Sequence, residues 1–167
     1  MILKFSFTLL FVFAFGVIYS QADELLKKGD MAFSRGDYLE SIEHYSKAIE
    51  TDPTNLNAHI QRGLALSITK EYAKSVTDFT AVLDERPELT SVRNSRGSAY
   101  LKLKDYDKAI ADFNDVLSND PENQEAYNNR GWCKKYKGDD EGACKDWKTS
   151  KKLGNGEAKI ILKNNGC

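Results

Sequence analysis

The sequence predicts an all-α protein: a solenoid of antiparallel helix pairs on a 34-residue repeat, with a C-terminal capping helix. Three observations predict it. Glycine recurs at Gly29, Gly63, Gly97 and Gly131, each 34 residues after the last. Proline recurs at Pro53, Pro87 and Pro121, again 34 apart, and the chain has no other proline. An aromatic stands sixteen residues after each glycine: Tyr45, Phe79, Phe113 and Trp147. Such a period belongs to supersecondary units that cannot bury their apolar faces alone and stack to do so.

The chain opens differently. MILK carries one lysine, and FSFTLLFVFAFGVIY follows without a charge. A short basic region before an apolar run reads as a signal peptide over residues 1–22, with Ser20 and Ala22 as small residues at the cleavage site. Cleavage after Ser20 is a second option. The alternative, an uncleaved anchor, would need a longer apolar run, of roughly 20 residues. Removing 22 of 167 residues leaves 145, enough for one domain with a real core. Lys4 leaves too, so the net charge moves from −1 to −2. That balance gives no electrostatic case for nucleic acid or an anionic membrane. Export predicts a periplasmic or extracellular location, where disulfides persist.

The mature chain, 23–167, divides into units at about 22–55, 56–89, 90–123 and 124–155. Each reads as two amphipathic helices joined by a tight turn. The first helix carries the glycine, which admits its partner closely. The second carries a small residue (Ser41, Ser75, Ala109, Ala143) four before the aromatic, on one face. Asp37, Glu71, Asp105 and Asp139 are placed as N-caps of the second helices. Tyr38, Tyr72 and Tyr106 begin those helices, and Ile42, Val76 and Ile110 follow four later as core. Met31, Ala65 and Ala99, two past each glycine, are also expected inside. After the fourth unit, LGNG breaks the chain. A capping helix at about 156–165 follows, its face formed by Ala158, Ile161 and Leu162.

The stretches KGDMAFSRGDYLESIEHYSKAIETDP and RGSAYLKLKDYDKAIADFNDVLSNDP resemble the tetratricopeptide repeat family. The resemblance runs from residue 22 to about 155. The fourth unit departs from the pattern, lacking proline and carrying Ser150 near its end. The family resemblance implies that first helices line a concave groove for protein or peptide partners. In this chain it places Leu26, Asp30 and Phe33 there, then Asn57, Ile60, Leu64 and Ile68. Ser91, Asn94, Ser98 and Leu101 follow, then Glu125, Asn128, Trp132 and Lys135. Some family members grip a C-terminal carboxylate with lysines and an arginine. Asn94 and Asn128 stand where the first lysine would be, so that ligand is not expected.

Arginine precedes three of the glycines: Arg62, Arg96 and Arg130. Aspartate stands fifteen after the same glycines: Asp78, Asp112 and Asp146. In the first unit both positions change, to Lys28 and His44. The two positions lie level in a helical hairpin, so the paired change predicts an Arg–Asp bridge within each repeat. The competing reading is an arginine row that binds an anionic ligand.

No cofactor, metal or catalytic site is expected. His44 and His59 lie on different helices, with no cysteine beside them. No glycine-rich phosphate loop or nucleophile motif occurs. Cys133 takes the place of Met31, Ala65 and Ala99, and Cys144 that of Ile42, Val76 and Ile110. Heights about the flanking turns leave two partners open for Cys144: Cys133 and Cys167. The closing stretch also resembles tails of exported bacterial repeat proteins that end in cysteine. On that basis the expected bridge is Cys144–Cys167, pinning the cap. Two functions are in view. One is an exported adaptor binding a partner in the groove, without catalysis. The other is a structural subunit of an envelope or secretion assembly, packing through its convex or end surfaces.

Overall fold

The computed structural model describes residues 21–167. The expected signal segment lies outside the described residues, apart from Gln21 and Ala22, which stand in the first helix. The described residues form helices joined by short turns, without a strand, in the helix-pair solenoid class expected. The chain divides into two compact units, Met1–Glu71 and Tyr72–Cys167. The first contains α1 (21–35), α2 (Tyr38–Thr51) and α3 (Leu56–Ile68). The second contains α4 (Tyr72–Glu85), α5 (Thr90–Lys102), α6 (Tyr106–Asn119), α7 (Gln124–Tyr136), α8 (Asp140–Lys152) and α9 (Gly156–Asn164). Within the second, each helix packs on the next, and α5 also touches α7.

The helix pairs close where the glycines stand. In the first unit Gly29 lies against the Tyr45 ring. In the second, a Cβ on Gly97 would stand 3.0 Å from the Phe113 ring, and one on Gly131 would stand 2.5 Å from Trp147 Nε1. A methyl group at either place would have to displace the ring, so the missing side chain sets the helix spacing. Tyr45, Phe79, Phe113 and Trp147 are all 0% exposed. Burying each stabilises the fold by roughly 1.5–3 kcal/mol. Tyr45 keeps its hydroxyl satisfied, donating to Asp30 Oδ1 at 2.9 Å.

Spacing explains the burial of α6: Ala109, Asp112, Phe113, Val116 and Leu117 fall on one helical stripe and are all buried. Cys133 of α7 joins this cluster. Its position therefore packs on the preceding helix pair, which corrects the expectation for Met31. Ala65 and Ala99 are buried at the equivalent place, but Met31 is 56% exposed, and Ala32 beside it is buried instead. Among the described residues no helix pair precedes α1 to cover Met31.

The caps also differ from expectation. Asp139 does cap α8, accepting from the Gly142 N–H at 2.8 Å. Asp37 and Asp105 make no side-chain cap bond. Asp37 pairs with Arg35 at 3.0 Å and Asp105 with Lys108 at 2.7 Å. A nearby cation competes for the same carboxylate oxygens. The effective caps lie elsewhere: Asn55 on α3, Asn123 on α7 and Asn155 on α9 each accept from the following helix's first turn.

The turn inside each pair holds one residue in the left-handed region. Gly36 (φ 84°) and Gly138 (φ 85°) fill it at the two ends, Lys70 (φ 67°) and Lys104 (φ 64°) in the middle. Cα branching makes that conformation costly for lysine.

Candidate partner-binding groove

The expected groove positions fall in both units. In the first, α3 carries Asn57 and Ile68 exposed, with Ile60 and Leu64 half-buried between them. In the second, α5 carries Asn94, Ser98 and Leu101, and α7 carries Asn128, Trp132 and Lys135. Leu101 leans inward and packs against the cluster around Phe113 and Cys133. Ser98 accepts from Asn129 Nδ2 at 3.3 Å, linking α5 to α7. Lys135 is occupied by Asp140, 2.9 Å away.

Trp132 belongs to a run of aromatics. Its ring stacks on Tyr136 at 5.8 Å and meets Trp147 edge-on at 5.0 Å. Tyr136 stacks in turn on Tyr106 at 5.2 Å, and stays 58% exposed. Tyr136 was not among the expected residues. It stands four after Trp132, the spacing that puts two side chains on one helix face.

The asparagines stand apart. Among the described residues, the buried side-chain atoms without a hydrogen-bond partner are His44 Nδ1, Asn94 Oδ1 and Asn128 Oδ1. Asn94 and Asn128 hold the same repeat position on α5 and α7, 34 residues apart. The backbone carbonyl of Asn128 is satisfied by Trp147 Nε1 at 3.2 Å, yet its side-chain oxygen is not. An unsatisfied buried acceptor costs about 1–3 kcal/mol.

The arginines are taken up structurally. Arg96 donates to both carboxylate oxygens of Asp112, at 2.9 and 2.8 Å, and Arg130 to those of Asp146, at 2.8 and 2.7 Å. These bonds raise the pKa of both guanidinium groups above the ordinary value. Each arginine also reaches back to the preceding helix pair. Arg96 donates to Thr80 Oγ1 at 3.2 Å and Arg130 to Asn114 Oδ1 at 2.7 Å. In the first unit Arg62 donates to Ser46 Oγ at 3.2 Å. Asp78, in the second, is 1% exposed. The backward partners Ser46, Thr80 and Asn114 lie on the 34-residue period, a signal present in the sequence but not read there. Lys28 and His44 do not replace the bridge. Lys28 pairs with Glu24 at 2.7 Å, and His44 Nε2 stands 3.7 Å from Glu40.

Of the cysteines, Cys133 is buried and free, and burial pushes its thiol up to about 12. Cys144 and Cys167 stand with their sulfurs at bonding distance and Cα atoms 5.5 Å apart. Ser150, in the departing fourth unit, is fully buried and donates to the Gln124 carbonyl at 2.7 Å. No described helix is long and apolar enough to cross a membrane.

This architecture is that of tetratricopeptide repeats. Residues 29–67 match the family described as TPR repeat, and residues 91–123 match the one described as Tetratricopeptide repeat. Matches to such repeats therefore fall in both units. Solved structures of similar fold include MamA 41-end from Desulfovibrio magneticus RS-1, 21% identical with a TM-score of 0.76, over 79% of this chain and 75% of that one. Another structure of MamA is 23% identical, with a TM-score of 0.75 over 83% and 81%. The first TPR of Spaghetti (RPAP3), solved bound to the HSP90 peptide SRMEEVD, is 28% identical, with a TM-score of 0.67 over 71% and 94%. No curated protein matches the chain. Proteins built of these repeats act in general as interaction modules rather than catalysts.

Proposed function

We propose that this chain is an exported, non-catalytic adaptor that holds an extended segment of a partner protein against α5 and α7. The observation that carries the reading is the pair of unsatisfied acceptors, Asn94 Oδ1 and Asn128 Oδ1. Turned outward by rotation about its Cβ–Cγ bond, each oxygen would accept one backbone N–H of a bound segment. Neighbouring helices lie roughly 10 Å apart, a distance that an extended segment covers in about three residues. Trp132 and Tyr136 add aromatic surface beside the acceptors, the residue type that most often anchors an interface. The peptide-bound Spaghetti domain supports this use of the fold. The apolar run ahead of Ser20 supports export.

The test is cross-linking and affinity capture with the mature protein, Asn94→Ala and Trp132→Ala side by side. Both substitutions are expected to lose a partner that the unaltered protein captures. If both variants retain every captured partner, the groove reading fails. Mass measurement of the protein recovered from its own cells tests export, with a chain that keeps residues 1–22 counting against it.

A further inference from the structure

We propose that the face formed by α8 and α9 is a second docking surface, which takes an acidic segment of a partner protein. Two adjoining open cavities, of about 450 and 470 Å³, lie on this face. Their rims carry Lys145, Lys148, Lys151, Lys152 and Lys163. All five side chains are exposed, and among the described residues none makes an ion pair or side-chain hydrogen bond. That is unlike Lys28, Lys47, Lys108, Lys134, Lys135 and Lys137, each of which meets a carboxylate.

The charge on α8 is segregated. Its carboxylates Asp140 and Asp146 are held by Lys135, and by Arg130 and Lys134, all from α7. Lys145, Lys148 and Lys152 follow at helical spacing, so their cations share one side of α8. They extend over roughly 10 Å of helix. Glu141 is the single acidic side chain lining either cavity. Five unpaired lysines against one acidic side chain and the α-carboxylate of Cys167 still leave a local positive field that the chain's net charge of −1 conceals.

The lining also selects the class of partner. Leu162 and Cys167 line one cavity and Cys144 the other, so apolar surface and sulfur lie among the ammonium groups. A protein segment offers both carboxylates for the rim and apolar side chains for the interior. A polyphosphate offers only charge. The surface is separate from α5 and α7, where the first binding site is placed, so one adaptor could hold two partners at once.

The test uses the full mature chain and a fluorescein-labelled peptide of glutamates with interspersed leucines, followed by anisotropy. Binding is expected, and is expected to weaken as salt rises to about 0.5 M. The Lys148→Glu, Lys152→Glu double variant should bind at least about tenfold more weakly, with its circular dichroism unchanged. Asn94→Ala should bind as the unaltered chain does. Equal binding by the double variant would overturn the proposal. So would recruitment of phosphatidylglycerol vesicles or polyphosphate through these lysines when the peptide does not bind.

Discussion

Arg130 and Asp146 are joined by two parallel hydrogen bonds, at 2.8 and 2.7 Å, and the carboxylate is only 3% exposed. The same fork joins Arg96 to Asp112. With Nε and Nη2 given to the carboxylate and Nη1 to Thr80 or Asn114, all three nitrogens of each guanidinium are engaged within the chain, so these arginines fasten the helix pairs rather than hold an outside anion.

Asp112→Asn is therefore expected to lower stability. The amide keeps the shape but turns an N–H₂ toward the guanidinium and leaves Arg96 charged without its counterion. Removing one partner of a buried pair costs about 3 kcal/mol. Urea unfolding at neutral pH measures it. A melt unchanged by the substitution would remove the bridge from any role in stability.

Lys104→Gly is expected to do the opposite. Lys104 holds φ at 64° in the turn where Gly138 holds 85° one repeat later. Relief of the left-handed penalty exceeds the entropy that glycine adds to the unfolded chain, for a net gain of about 0.5–1 kcal/mol. The side chain is exposed and makes no ion pair among the described residues, so little is lost with it. A midpoint that falls in thermal unfolding would contradict this account of the turn.

A Cys144–Cys167 bridge, which we propose for the mature protein, closes a loop with a sequence separation of 23. Cys167→Ser is expected to cost about 3 kcal/mol. Peptide mapping without reductant should recover the two cysteines linked, and finding Cys144 free would defeat the pairing. Cys133 should resist alkylation at pH 8 until the chain unfolds, because burial lifts its thiol from 9.0 to about 12. The folded state thus favours the protonated thiol. Its contribution to stability is complete below pH 9 and is lost as pH rises toward 12.

The helix pairs were legible because their determinants are local and periodic. Gly97 with Phe113 and Gly131 with Trp147 need only a fixed spacing and one missing side chain. What periodicity hides is competition for one side chain and the absence of a neighbour. Asp37 and Asp105 look like caps until a cation is found at each. Met31 looks like core until the structure shows it 56% exposed, with no helix pair before α1 among the described residues. The asparagines were legible as positions, but their unsatisfied oxygens depend on every group around them. The lysine face was missed because its five lysines resemble ordinary solvation until the structure shows that none of them meets a carboxylate among the described residues.

Arg96 and Arg130 each address one residue sixteen positions ahead and one sixteen behind. Insertion of a single residue between an arginine and either partner breaks that register, whereas duplication of a whole 34-residue unit recreates it at both junctions. Growth of such an array is therefore quantised: its ancestors and engineered descendants can differ in copy number far more cheaply than in repeat length.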